Sequence, residues 1–205
     1  MTQVAPLSFN QESLWLTDEL VPGVTQYVLV WGWSLAGDVD VAGLTEALRT
    51  IVRRHDVLRC ALSIVDGQPT QTVRDDVEFD LGVANLSELP EADRDGAVRA
   101  LVGRWFTQRF DLAAPPLLHA ELLRLEPRRH LLVLVNPHVI WDEGSQSVLV
   151  RELAELYDAH VTGRRPRLPQ LAVQYADFAV WQREELEPEL EAGLRYWADR
   201  LAGDP

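Results

Sequence analysis

Lysine is absent from the 205 residues, and all 19 basic side chains are arginines. A Schiff base and a phosphate-loop lysine both require a lysine amine, so these two kinds of site are excluded. The sequence has one cysteine, Cys60, which excludes an internal disulfide. Its longest apolar run, residues 131–135, is far shorter than the roughly 20 residues that span a bilayer. The chain also begins without the basic and apolar regions of a signal peptide, and together these absences predict a cytoplasmic protein.

Positive charges are also outnumbered by negative ones. The 32 acidic residues exceed the 19 arginines, which gives a formal net charge of −13. A net negative field repels phosphate backbones and anionic lipids, so nucleic acid and membranes are not expected as partners. The 47% hydrophobic and 25% charged residues are typical of a globular domain. A chain of this length can bury a sizeable core without a metal or disulfide.

Motifs of several enzyme classes are missing. The sequence has no HExxH, no paired CxxC, no GxSxG and no phosphate-binding glycine loop. Without GxSxG, a serine hydrolase is not expected. The histidines show no metal-ligand spacing, so a metal site is not expected either. His55 lies at a predicted helix end, where a protonated ring would complement the helix dipole, and we assign it no function from the sequence.

Apolar periodicity predicts alternating helices and strands. The predicted helices cover residues 11–20, 41–55, 91–110, 148–163 and 173–201. The predicted strands cover residues 25–35, 57–65, 70–73, 117–125 and 131–135. Asp40 is the expected N-cap of the second helix, Asp66-Gly67 suits a hairpin turn, and Pro188 is expected to kink or restart the last helix. This order predicts an α/β sandwich in which helices pack on a mixed sheet.

His138 stands between an apolar strand and a helix, a place where functional residues often cluster. An imidazole there could accept a proton from an amine or hydroxyl nucleophile, and Asp142 could orient the loop or the ring. From the residues alone, a purely structural role is favoured over a catalytic one. Trp141, in the same loop, could fill the core or line a substrate channel.

Four segments, in order, resemble motifs of the condensation domains of nonribosomal peptide synthetases. Residues 8–15, SFNQESLW, resemble S-x-x-Q-x-x-L-W, and residues 54–59, RHDVLR, resemble R-H-E-x-L-R. Residues 137–143, PHVIWDE, occupy the place of H-H-x-x-x-D-G, and residues 175–182, YADFAVWQ, are similar to Y-x-D-Y-A-x-W-Q. The resemblance extends over the whole chain.

This resemblance implies an α/β fold, the N-terminal lobe of a chloramphenicol acetyltransferase-like sandwich. Residues 1–180 are expected to form that lobe, and residues 181–205 a helical connection toward a C-terminal lobe that is absent here. Whether the chain is an excised piece or a natural half-domain stays open.

By the same resemblance, His138 matches the second histidine of its motif. That residue is thought to position or deprotonate the acceptor amine as it attacks a carrier-protein thioester. Asp142 matches the motif aspartate, whose role is mainly structural and which is expected to pair with Arg59. Trp141 and Ser145 are candidates to line the substrate channel.

The motif departs from the family pattern at two positions. Pro137 replaces the first histidine, which removes an imidazole and stiffens the strand end. Glu143 replaces the motif glycine and is followed by Gly144. If that position needs a positive φ, Glu143 would strain it, and its carboxylate would lie beside the channel near His138. These departures predict weakened or absent catalysis.

Three functions are therefore open. The chain could be one lobe of an acyltransferase that forms amide bonds, a non-catalytic module that recruits carrier proteins or tailoring enzymes, or part of an ester-forming acyltransferase of the same fold. The expected partners are a peptidyl or acyl carrier protein and a second lobe, supplied by another chain or by a homodimer. No cofactor is expected to bind directly, and the phosphopantetheine arm of the carrier would bring the substrate.

Overall fold

The computed structural model describes residues 4–21 and 25–203, except for the side chains of residues 187 and 188. The helices are α1 Phe9–Leu20, α2 Val41–Arg54, α3 Glu91–Trp105, α4 Glu143–Thr162, α5 Tyr175–Trp181 and α6 Glu187–Leu201. The strands are β1 Val4–Pro6, β2 Val28–Ala36, β3 Cys60–Val65, β4 Gln68–Val73, β5 Gly82–Asn85, β6 His119–Glu126 and β7 Arg129–Pro137. Short 3-10 helices span Asp56–Arg59 and His138–Ile140, and a π-helical turn spans Gln182–Leu186.

The larger sheet carries the candidate site at the end of its central strand. Its strand order is β2-β7-β6-β5, with β6 and β5 parallel and the other neighbours antiparallel. Strand β7 is buried along most of its length, as expected for a strand covered on both faces. The predicted mixed sheet with packed helices is therefore confirmed.

A second, antiparallel sheet has the order β1-β4-β3. Its hairpin turns at Asp66 and Gly67, whose φ angles of 52° and 79° are those that this dipeptide tolerates. The predicted hairpin is confirmed, but residues 57–59 belong to a 3-10 helix rather than to the strand.

Helix α2 forms where its cap and apolar stripe predicted it. The Asp40 carboxylate accepts a hydrogen bond from the Gly43 backbone N–H at 3.1 Å. The buried stripe consists of Leu44, Ala47, Leu48, Ile51 and Val52. Helix α4 packs closely on α2, and a side chain at Gly43 would overlap the His160 ring.

Three elements differ from the sequence prediction. Helix α3 ends at Trp105 instead of residue 110, because Phe110 enters the core. Strand β5 was not predicted, since four residues that include glycine and asparagine carry a weak strand signal. The helix predicted over residues 173–201 contains a π-helical turn that was not predicted, although its restart near Pro188, at Glu187, was expected and is confirmed.

The predicted connection toward a second lobe begins in the π-helical region. The described side chains of residues 189–201 in α6 are all exposed. Residues 204 and 205, at the end of that predicted segment, lie outside the described residues. Within the part of the chain that is described, no helix is both long enough and apolar enough to cross a membrane.

Candidate active site

The end of β7 positions His138. Pro137 pairs with Val28 in the last register position of the β2–β7 ladder. The next backbone N–H, that of His138, donates to the carbonyl of Tyr27 at 2.8 Å. The strand pairing thus continues up to the histidine, and a 3-10 turn then leads into α4.

The His138 ring is held by the backbone of its own loop. Its Nδ1 lies 2.6 Å from the carbonyl oxygen of Trp141. A carbonyl oxygen can only accept, so Nδ1 carries the proton of this bond. In the neutral ring, Nε2 is then left with a lone pair, and the residue is exposed in this lobe. This arrangement suits a proton acceptor.

Asp142 caps the N-terminus of α4. Its Oδ1 accepts the Ser145 backbone N–H at 2.8 Å and the Ser145 hydroxyl at 2.6 Å. In return, the Ser145 Oγ accepts the Asp142 backbone N–H at 3.3 Å, which completes a capping box. The hydrogen bonds from Ser145 hold the pKa of Asp142 below its usual range.

Arg59 lies elsewhere, so the predicted pair with Asp142 is wrong. The Arg59 guanidinium forms ion pairs with Asp56 at 2.5 Å and Asp75 at 3.1 Å. It also donates to the backbone carbonyl oxygens of Val52, Arg53 and Arg74. Through these bonds, the Arg59 guanidinium joins the end of α2 to residues 74 and 75, which follow β4.

Glu143 is not strained, which corrects a second expectation. Among described non-glycine residues, only Asp66 has a positive φ. Glu143 is the first residue of α4 and is exposed. A negative charge at this end of a helix interacts favourably with the helix dipole. It does not contribute to the wall of the cavity beside His138, and neither does Gly144. The Glu143 carboxylate therefore does not line this cavity, and its place beside a complete channel stays a prediction.

A cavity of about 610 Å³ opens beside His138. Trp141 and Ser145, the two candidate channel residues, both lie on its wall. Trp141 is only 6% exposed, so the same side chain also belongs to the core, and its indole Nε1 has no hydrogen-bond partner among described residues.

The opposite walls come from distant parts of the chain. They include Asn10, Gln11, Ser13 and Leu14 from α1, Ile51, His55, Val57 and Leu58 near the end of α2, and Leu171, Val173, Gln174 and Tyr175 before and at the start of α5. Reasoning from the sequence did not place these residues at the site. Some of these residues lie in the motif segments 8–15, 54–59 and 175–182. The family resemblance was therefore the sequence signal that could have placed them at the site.

The first and fourth motif segments are in direct contact. The Ser8 and Tyr175 hydroxyls lie 3.0 Å apart, and the Gln182 Oε1 accepts the Phe9 backbone N–H at 2.9 Å. Arg183 pairs with Glu12 and stacks over the Phe9 ring. The π-helical turn therefore fixes α1, which forms one side of the cavity.

Comparisons with known proteins agree with this geometry. A profile of the condensation-domain family matches residues 1–205. The chain is similar to phosphinothricin tripeptide synthetase PhsB of Streptomyces viridochromogenes, with 41% identity over 204 residues that make up 100% of this chain and 17% of that synthetase.

Two solved structures show the same fold. The X-domain in complex with OxyB from teicoplanin biosynthesis is 28% identical with a TM-score of 0.83, over 99% of this chain and 44% of that chain. The first condensation domain of the calcium-dependent antibiotic synthetase, in complex with a substrate analogue, has a TM-score of 0.87 at 24% identity, over 99% of this chain and 48% of that chain.

The chain thus spans about half the length of these solved structures. The expected condensation-domain fold is confirmed. Since the family profile covers every residue and a peptide synthetase is 41% identical over the whole chain, the chain belongs to the condensation-domain family of nonribosomal peptide synthetases.

Proposed function

We propose that this chain is the N-terminal half of a domain that forms an amide bond, with His138 as the residue that accepts the proton. The amine nitrogen of one carrier-bound substrate attacks the thioester carbonyl carbon of another. The carbon–sulfur bond breaks, and the amine proton passes through the Nε2 of His138 to the departing thiolate. The observation that supports this role is the 2.6 Å hydrogen bond from the His138 Nδ1 to the Trp141 carbonyl oxygen, because it leaves Nε2 free to accept a proton.

The proposal includes partners that bring the substrates. A peptidyl or acyl carrier protein would present them on its phosphopantetheine arm, and the cavity volume of about 610 Å³ is in the range of small-molecule sites. Residues 1–180 would form the lobe, and residues 181–205 would lead to a second lobe. The cytoplasmic location also stays a prediction.

The test is His138→Ala in this chain joined to the rest of its domain. Loss of a proton acceptor should lower the rate of amide formation between two carrier-bound substrates by about 10²–10⁴-fold. His160→Ala is the matched control, because His160 lies in the last turn of α4, far along the helix from the site. A His138→Ala domain that forms the amide at the rate of the control would contradict the proposal.

A second candidate is a non-catalytic module that recruits a carrier protein or a tailoring enzyme. The likeness to an X-domain that was solved with OxyB favours it, as do Pro137 and Glu143 in the motif. Such a module would retain its partner in His138→Ala, with unchanged affinity. Unchanged binding of a holo carrier protein to His138→Ala, measured by calorimetry, together with a wild-type two-lobed domain that forms no amide, identifies such a module.

The motif departures give a related prediction. Replacing Pro137 with His and Glu143 with Gly in the two-lobed domain should raise the rate of amide formation, because both changes restore the family motif. Thermal stability must be followed in parallel, since Glu143→Gly removes an acidic side chain from the first turn of α4 and puts glycine in a helix. An unchanged rate in a folded double variant would show that these positions do not limit catalysis.

A further inference from the structure

A second histidine, His55, lies on the wall of the same cavity. Its Nε2 is 2.7 Å from the Oε2 of Glu152 on α4. The Glu152 side chain is only 5% exposed, and its two oxygens also share a bifurcated hydrogen bond from the single Arg54 Nε–H, at 3.1 and 3.2 Å. Because an ionised carboxylate only accepts, Nε2 carries the proton in the bond from His55.

The other ring nitrogen of His55 is open. Its Nδ1 makes no hydrogen bond with any described residue, and it is not among the fully buried polar atoms that lack a partner. The side chain as a whole is 21% exposed. In the neutral ring, Nδ1 therefore keeps an accessible lone pair, on a residue that lines the cavity.

The backbone on both sides of His55 is fixed as well. The Gln174 amide donates to the Arg54 carbonyl at 2.9 Å, and its Oε1 accepts the Asp56 backbone N–H at 3.2 Å. Glu152 holds the ring itself, so backbone and side chain are both anchored. A side chain held in this way is pre-organised to contact a ligand, at little cost in conformational entropy.

We propose that the Nδ1 of His55 accepts a hydrogen bond from an N–H group of the substrate in this cavity. Glu152 is the positioning residue that selects the ring tautomer. This inference rests on the proposed function, because it takes the cavity to hold a carrier-bound substrate. The donor is either the nucleophilic amine or an amide of the pantetheine arm, and two probes distinguish these sources.

Two substitutions at His55 separate its two contacts. In His55→Gln, the side-chain amide can reach the place of Nε2 and keep the bond to Glu152, but the acceptor at Nδ1 is lost. In His55→Asn, the side-chain carbonyl takes the place of Nδ1, and the bond to Glu152 is lost. We expect His55→Gln to fold like wild type and bind substrate less well, and His55→Asn to be less stable with the acceptor retained.

The probes are S-(2-aminoethyl)pantetheine and S-ethylpantetheine, two stable thioethers that both carry the arm. Only the first carries an amine, and neither has an N–H group in place of the thioester sulfur. The readout is the Nδ1 resonance of His55 in long-range ¹H–¹⁵N spectra of the 205-residue chain in alkaline buffer. Probe binding should shift this resonance, and His55→Gln should weaken binding about three- to tenfold, the effect of one neutral hydrogen bond. A loss confined to the aminoethyl probe identifies the amine, and an equal loss with both probes identifies the arm.

Glu152→Gln tests the positioning role through the tautomer. The imidazole nitrogens of His55 should then report a mixture of the two neutral forms, a change that altered packing alone would not produce. The proposal is overturned if neither probe shifts Nδ1, or if His55→Gln binds both probes as wild type does. These readouts need no turnover, so they can fail while His138 still proves essential for amide formation, and the reverse also holds.

Discussion

At the scale of single residues, Asp142 and Arg59 stabilise different parts of the molecule. Asp142 holds the first turn of α4 through Ser145. Arg59 instead forms ion pairs with Asp56 and Asp75 and donates to three carbonyl oxygens, two in the last turn of α2 and one after β4. The two residues share no partner. Their contributions to the free energy of unfolding should therefore be independent.

A double-mutant cycle measures this independence. Asp142→Ala should lower the free energy of unfolding by about 1 kcal/mol, the usual cost of a lost N-cap. Combined with Arg59→Gln, the two losses should add to within about 0.5 kcal/mol in urea denaturation. Asp142→Ala with Ser145→Ala is the positive control, since these side chains bond to each other at 2.6 Å and should couple. A coupling energy between Asp142 and Arg59 as large as in the control would contradict their independence. It would support the ion pair that the family resemblance implied.

At the scale of elements, α4 is held at its far end by a charged cluster. The helix ends at Gly163, whose φ of 68° is left-handed. Arg164 then turns back and pairs with Glu155 at 2.6 Å and Asp158 at 2.5 Å. The Arg164 guanidinium, and after it the Arg167 backbone N–H, lower the pKa of Glu155 to about 2.

This cluster predicts a specific dependence of stability on pH. The unfolded pKa of a glutamate is about 4.3, so the folded state binds its proton less readily than the unfolded state. The contribution of Glu155 is then fully present above about pH 4.3 and is lost as the pH falls toward 2. The stability difference between wild type and Glu155→Gln, measured by urea denaturation, should shrink over that range. Glu191→Gln, on the exposed face of α6, is the control, and a difference for Glu155 that stays constant into acid would contradict the prediction.

The elements also show how far the sequence could be interpreted. Helix α2 was predictable because its cap and its apolar stripe are local signals. The π-helical turn was not, because its contacts are with Phe9 and Glu12, more than 170 positions earlier. At the site, family resemblance located His138, but its partner is a backbone carbonyl, which has no sequence signature. His55 was passed over because the partner that orients it, Glu152, is 97 positions away.

At the scale of the whole molecule, α5 and α6 present large apolar side chains to solvent. The exposed side chains are those of Tyr175, Phe178, Trp181, Leu190, Leu194, Tyr196, Trp197 and Leu201. Surfaces of this kind usually meet a partner. We expect the isolated chain to form dimers that light scattering detects, and the double variant Trp181→Ser and Trp197→Ser to shift the balance toward monomer. A chain that is monomeric at high concentration would contradict the prediction.

The contact between α1 and the π-helical turn also has a consequence for synthesis on the ribosome. Asn10, Gln11 and Leu14 are translated before Gln174 and Tyr175, which complete that side of the cavity some 160 positions later, and before Gln182, which bonds to α1. At 5–20 residues per second, α1 must wait on the order of ten seconds for these partners. That side of the cavity can therefore be completed only after synthesis has passed Gln182.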